Sequence, residues 1–331
     1  MHEDDVLIGV DPATRLPYGV SRYYASLAER DDPESDPIAA QYIPREGESY
    51  HSPGESPDPI GDRQYEVAPR LVHHYRDRAL LLVNDRCATY CRHCFRRHFT
   101  GHGAGRLAGD ELEQACDYLS AHPEVREVLL SGGDPLMHSD EEIFAVIDRL
   151  RKVRDFLIRV CTRMPVVLPS RITGTFAQAL STRLPAWVVI HVNHPREITG
   201  ELERAVALLL RAGAPVANQA VLLRGVNDDA GTLEALFRGL QRNGIRPYYL
   251  FQGDLASGTA HFRVPIERGI ELMRTLRRRL SGLALPTYAV DLPGGGGKVP
   301  IEANLVRTES DRYILRDADG AERSYPRETE R

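Results

Sequence analysis

The rhythm of apolar positions changes near residue 79. Beyond that point the apolar runs Ala79–Val83, Val128–Leu130, Phe156–Cys161, Trp187–Val192, Val216–Leu223 and Tyr248–Gln252 have strand length. They alternate with amphipathic segments near 110–121, 140–153, 173–182, 199–212 and 230–242. Continuous apolar strands separated by helices indicate a parallel sheet covered by helices. Six such repeats predict an α/β fold, a partial (βα)6 barrel whose chemistry gathers at the C-terminal ends of its strands. Asp110 and Glu113 have the spacing of a capping box at the start of the first helix. Another helix is predicted over 266–281, and a strand over Pro286–Asp291. Arg312–Arg316 and Ala321–Tyr325, joined through Asp319 and Gly320, read as a β-hairpin.

Before residue 74 the pattern is different. Nine of the 22 prolines lie there, among many Asp, Ser and Glu residues. This predicts an extended arm with short helices, such as Tyr18–Leu27, and not a packed domain. The chain thus divides into an arm (1–73), a barrel (74–285) and a C-terminal extension (286–331).

Composition narrows the class. With 42% hydrophobic and 27% charged residues the chain has the make-up of an ordinary soluble globular protein. A net charge of −5 argues against nucleic acid as a partner, since phosphate binding rests on clustered positive charge. No apolar run approaches the roughly 20 residues of a membrane helix. The segment Met1, His2, Glu3, Asp4, Asp5 is acidic and lacks the apolar stretch of a secretory signal, so a cytoplasmic location is expected. Of the 42 basic residues only Lys152 and Lys298 are lysines, so primary-amine chemistry has two candidates. The five cysteines are an odd number, and a disulfide framework is not expected. Cys116 and Cys161 read as small buried hydrophobes.

Cys87, Cys91 and Cys94 are different. They form a Cys-x3-Cys-x2-Cys loop directly after the first predicted strand. Three thiolates on one tight loop can hold three irons of a cubane cluster and leave the fourth iron open to a small molecule. A structural zinc site asks for four ligands and paired knuckles. His93 and His98 could be recruited to one, but no second knuckle is present. At the end of the second predicted strand stands Ser131-Gly132-Gly133-Asp134, where glycines permit close approach of backbone to a ligand. The second unusual loop runs from Asp291 through four glycines to Lys298. Val299 and Pro300 follow, so it lacks the hydroxyl and the helix of a nucleotide-phosphate loop. A lysine on a flexible glycine arm suits a Schiff base with an aldehyde cofactor. Lys152, in a charged helical stretch, reads as solvated.

Taken together, the cysteine loop, Ser131–Leu136, Pro165–Pro169, Asn218–Asp228 and Asp291–Lys298 resemble the lysine 2,3-aminomutase family of radical S-adenosylmethionine (SAM) enzymes. The likeness is weak before residue 70 and close over 75–305. It implies a 4Fe-4S cluster on Cys87, Cys91 and Cys94. SAM would lie against Ser131, Gly132, Gly133 and Asp134, and pyridoxal phosphate would sit on Lys298, with Tyr75 and Arg78 near its phosphate. It further implies that Asp254 and Asp291 face the substrate ε-ammonium and that Arg96, with Arg97 as rival, faces the α-carboxylate. The expected reaction interconverts L-lysine and β-lysine: a 5′-deoxyadenosyl radical takes hydrogen from the β-carbon and the α-nitrogen migrates there. An external electron donor is then a partner.

The chain departs from longer relatives in having no C-terminal cysteine cluster for zinc, and Asp229 stands at the place of their upstream cysteine. A homo-oligomer is left open. Other readings are a β-lysine-forming enzyme serving elongation factor P, an aminomutase for another cationic amino acid, a pyridoxal phosphate enzyme without radical chemistry, and a non-catalytic iron–sulfur or zinc module.

Overall fold

The computed structural model describes residues 6–10, 17–29, 31–33, 35–50, 52–301, 305–309, 312–317 and 321–326. The expected turn at Asp319 and Gly320 and the expectation for Met1–Asp5 lie outside these residues. The N-terminal part begins with an antiparallel pair, β1 (Val6–Val10) and β2 (Pro17–Ser21), followed by the single-turn helix α1 (Arg22–Ala25). The predicted helix over Tyr18–Leu27 is therefore half strand. Ser21 switches the chain from one to the other, because its hydroxyl caps α1 by accepting from the Tyr24 N–H at 2.9 Å.

One ten-stranded sheet dominates the molecule. Its antiparallel edge is β3 (Glu66–Ala68) and β4 (Leu71–Tyr75). The parallel strands are β5 (Arg78–Asn84), β6 (Glu127–Gly132), β7 (Leu157–Thr162), β8 (Ala186–Ile190), β9 (Val216–Val221), β10 (Ile245–Phe251) and β11 (Thr287–Leu292). The far edge is the antiparallel strand β12 (Gly297–Pro300). The described residues thus hold seven parallel strands, one more than the six predicted strand–helix repeats, and the strand order is that of an open partial barrel. The covering helices are α2 (Gly109–Ala121), α3 (Asp140–Val153), the short α4 (Met164–Val167), α5 (Gly174–Ser181), α6 (Gly200–Arg211), α7 (Ala230–Arg242) and α8 (Ile266–Arg279). A small separate sheet, β13 (Leu305–Thr308), β14 (Arg312–Arg316) and β15 (Glu322–Pro326), contains the expected hairpin and a third strand the pattern did not show.

Four of the covering helices begin at side-chain caps. Ser139, Thr173, Thr199 and Asp229 accept from backbone N–H groups at Glu142, Phe176, Leu202 and Thr232. Asp229 is thus the N-cap of α7. The predicted box at Asp110 and Glu113 is corrected. Both residues lie inside α2, Glu111 reaches back to the Ala108 N–H at 2.8 Å, and Glu113 pairs with Arg149. The outer strand faces and inner helix faces form one apolar cluster. Val128, Leu130, Ile158 and Val188 meet Ile147, Leu209, Leu236 and Phe237 there. Truncating a fully buried Phe237 to Ala would cost about 3–5 kcal/mol. Strand side chains alternate between faces, so Leu129, Ser131, Arg159, Cys161, Gln219, Val221, Tyr249 and Phe251 turn the other way, into a cavity. The helix side of the strands is mainly apolar, whereas the cavity side mixes apolar with polar and charged residues.

Candidate active site

Thirteen of the residues singled out in the sequence, those expected to hold the cluster, SAM, pyridoxal phosphate and substrate, line one cavity of about 320 Å3, within the range of small-molecule sites. The cysteine loop forms one end. It leaves β5 at Asn84, whose side chain donates to the Asp134 carbonyl at 2.7 Å. Two backbone bonds, Gly133 N–H to Asn84 O and Asp134 N–H to Arg86 O, both 2.7 Å, lay the end of β6 against the base of the loop. A Cβ at Gly132 would sit 2.4 Å from Asn84 O, and one at Gly133 would sit 2.3 Å from Arg86 O. Glycine is required here by backbone meeting backbone, a different reason from the ligand approach expected. The Asp134 carboxylate turns toward β7. It accepts from Thr162 Oγ1 at 2.7 Å and from the Leu136 and Arg163 N–H groups at 2.9 and 2.7 Å. Burial raises its pKa, and these bonds oppose the rise.

Cys87, Cys91 and Cys94 all reach the cavity. Burial pushes the Cys87 thiol well up and that of Cys94 up to about 11. Thiols so desolvated ionise when a metal supplies positive charge. Among the described residues, no three His, Cys, Asp or Glu side chains converge as a single-ion site requires. A cubane does not ask for that, since each of its irons takes one thiolate. Three soft sulfurs spread along one loop at a cavity wall fit a cluster.

The arm closes this end from outside, and its contribution was not legible in advance. Glu48, on a single turn of helix at Glu46–Ser49, binds Arg92 at 2.8 and 2.6 Å and Arg97 at 2.6 Å. Asp62 takes Arg96 Nε at 2.8 Å, and Arg96 Nη1 lies 3.4 Å from Ser131 Oγ. Arg96 lines the cavity, whereas Arg97 donates to Glu48 and to the Ser257 carbonyl. Val20, Tyr24, Ile38 and Tyr42 of the arm are buried in the main apolar cluster. The arm is therefore a strap on the barrel and not a loose extension.

The other end of the cavity is built by β11 and β12, whose register sets Asp291 opposite Lys298. Lys298 Nζ donates to both carboxylate oxygens of Asp291, at 2.9 and 2.6 Å. The ammonium also lies 3.9 Å from the centre of the Phe251 ring and 5.2 Å from that of Tyr249, a cation–π arrangement. Burial lowers the Lys298 pKa, and Asp291 opposes that. Asp254 is pushed up to about 7, by burial first and by the Asp291 charge second.

The glycine loop is seated, contrary to the expectation of a swinging arm. Gln64 and His74 donate to the Gly294 and Gly295 carbonyls at 2.8 and 2.9 Å, and Tyr65 donates to Gly295 at 3.2 Å. Gly295 has φ +79°, and a Cβ there would lie 2.4 Å from the Tyr65 ring. The Lys298 N–H donates to Tyr75 Oη at 3.0 Å, and the Arg78 guanidinium covers the Tyr75 ring at 3.8 Å. Cys161, read as a core residue, lines the cavity, as do Arg159, Arg163 and His191. For Arg159, Cys161 and Arg163 the signal was the two-residue alternation along and just past β7.

Comparison with known proteins identifies the family. Residues 81–236 match the radical SAM superfamily and residues 273–331 match lysine-2,3-aminomutase. The chain is 43% identical to L-lysine 2,3-aminomutase of Clostridium subterminale over 94% of its length and 75% of the relative's. The Bacillus subtilis (strain 168) L-lysine 2,3-aminomutase is 39% identical over 96% of this chain and 68% of its own. Glutamate 2,3-aminomutase of Clostridioides difficile (strain 630) is 36% identical over 93% and 73%.

Proposed function

The chain belongs to the lysine 2,3-aminomutase family of radical SAM isomerases, and from that premise we propose that it interconverts L-lysine and β-lysine. Family membership implies a 4Fe-4S cluster, SAM and pyridoxal phosphate. When bound, the cluster and SAM supply a 5′-deoxyadenosyl radical, and pyridoxal phosphate supplies the aldehyde that holds the migrating nitrogen. In this reading Cys87, Cys91 and Cys94 hold the cluster, and Ser131, Gly132 and Gly133 form the wall that SAM meets. Asp134 braces that wall. Lys298 is the aldehyde-binding amine, and burial lowers its pKa. Tyr75 and Arg78 border it on the β4–β5 side.

The observation that carries the substrate assignment is the pair Asp254 and Asp291 beside one ammonium already bound on an aromatic face. A desolvated alkylammonium needs opposite charge, and the same pair would repel the side-chain carboxylate of glutamate. Arg96, held by Asp62 through Nε, keeps its other nitrogens toward the cavity for an α-carboxylate. The walls of Tyr249 and Phe251 keep water from the reacting carbon.

The test is anaerobic incubation of reconstituted protein with dithionite, SAM, pyridoxal phosphate and a panel of amino acids, with chiral analysis of products. β-Lysine should form from L-lysine and no β-glutamate from glutamate. Borohydride reduction should fix the pyridoxyl group on Lys298; label on Lys152 alone, or turnover of glutamate in preference to lysine, would overturn the reading. No helix among the described residues is long and apolar enough to cross a membrane.

A further inference from the structure

Behind the cysteine loop lies a cation that the reading above does not use. Arg163 follows the end of β7, and its Nη1 donates to Cys91 Sγ at 2.7 Å. Its Nη2 donates to Glu197 Oε1 and Gln41 Oε1, both 2.6 Å, and to Tyr24 Oη at 2.8 Å. The Arg163 and Glu197 side chains are 8% and 0% exposed, so this is a dry ion pair. Both ends are pinned. The Arg163 N–H is held by Asp134, and Glu197 Oε2 accepts from the Asn193 and His194 N–H groups at 2.6 and 2.7 Å. His93 and His191 lie near it, and burial, reinforced by the Arg163 charge, drives both toward the neutral form. The other loop arginines are turned elsewhere, Arg92 and Arg97 to Glu48 and Arg96 to Asp62.

We propose that Arg163 is a positioning residue that sets the reduction potential of the cluster through Cys91, and that Glu197 trims its effect. This rests on the assignment of Cys91 as an iron ligand. Reduction adds one electron to the cluster from a low-potential one-electron donor. When bound, the cluster would supply that electron to the SAM sulfonium, whose C5′–S bond would break to methionine and a 5′-deoxyadenosyl radical as the cluster returned to its oxidised state. A cation hydrogen-bonded to a ligand sulfur stabilises the more negative, reduced form and raises the potential. The Glu197 carboxylate, one guanidinium further away, acts in the opposite sense and more weakly. The arrangement would keep the cluster reducible without making it too weak a donor to cleave SAM.

The test is an EPR-monitored redox titration of reconstituted protein, with iron and sulfide assayed alongside. Glu197→Gln should raise the midpoint potential. Arg163→Gln combined with Glu197→Gln removes both charges together, so neither is left buried and unpaired, and should lower it. Arg163→Lys should stay near wild type. These opposite shifts at full iron content separate tuning from a purely structural role. Shifts in one direction, or none, would overturn the proposal, as would a loss of SAM binding at unchanged potential. Should the variants fail to fold, pulsed EPR of the reduced wild type carrying 15N-guanidino arginine decides: a 15N coupling supports the contact and its absence ends the claim. The assignment of Cys91 fails by a separate result, normal cluster content in Cys91→Ala.

Discussion

At the cysteine end of the cavity Arg92, Arg96 and Arg97 each meet a carboxylate delivered by the arm. At the lysine end one ammonium faces two carboxylates, and burial together with Asp291 pushes one of them, Asp254, up to about 7. The first end is braced, with each guanidinium anchored on a carboxylate, as suits groups that must hold a cofactor in one place. The second is overcharged, as suits groups that exchange partners. A buried carboxylate with no cation of its own is costly until an ammonium arrives. In the proposed reading the lysine end stores a preference for a cationic substrate in its own instability, whereas the cysteine end spends its charges on rigidity.

The largest effect expected from breaking this contrast lies at the sulfurs. Cys87→Ala, Cys91→Ala or Cys94→Ala should abolish the brown chromophore or leave it unable to cleave SAM, while Cys116→Ala, on the buried face of α2, should leave both intact. Ultraviolet–visible spectra and 5′-deoxyadenosine production measure this, and normal SAM cleavage in any of the three would remove that sulfur from the site. Next comes the brace. Glu48 is fully buried between two guanidinium groups, and losing one partner of a buried pair costs about 3–5 kcal/mol. Glu48→Gln should lower the free energy of unfolding by that amount and open residues 35–50 to protease. A change under about 1 kcal/mol would show that the arm is not fastened there.

The two ends also differ in how far the sequence disclosed them. Cysteine spacing and the glycine–lysine run are local signals, and helix starts carried theirs in Ser139, Thr173, Thr199 and Asp229. Glu48 and Asp62 carried none. Each acts on an arginine 34 to 49 positions away in sequence, and a single acidic residue in a proline-rich stretch has no periodicity to expose it. The inner strand faces were hidden for another reason. Arg159 breaks the run Phe156–Cys161, but an average over the run stays apolar because alternate residues belong to the core. Reading β7 in steps of two would have placed Arg159, Cys161 and Arg163 together on the cavity side.

At the lysine end, Asp254→Asn keeps shape and removes one charge from the ammonium site. Leaving the substrate ammonium half-paired costs on the order of 2–5 kcal/mol, a loss in kcat/KM for lysine of about 30-fold or more at ~1.4 kcal/mol per decade. Iron content and the pyridoxal band should survive. Turnover at the wild-type rate would mean the ammonium is recognised elsewhere.

The same substitution has a smaller effect of opposite sign on stability, and that effect sharpens the contrast most directly. Asp254 is raised from 3.8 to about 7 in the folded protein, so the native state binds its proton more tightly than the unfolded chain does. Stability contributed by this group is therefore lost as pH rises from about 4 to about 7, and the full penalty is present above that. The Asp254→Asn protein carries no such penalty. In the absence of substrate it should be more stable than wild type at pH 8, on the order of 1–3 kcal/mol, and the gain should vanish near pH 4. Paired denaturant titrations at the two pH values measure the difference. Glu48→Gln, at the braced end, should destabilise at both. A loss of stability in Asp254→Asn at pH 8 would mean its carboxylate is a structural acceptor, and the picture of a site held ready by unbalanced charge would fall with it.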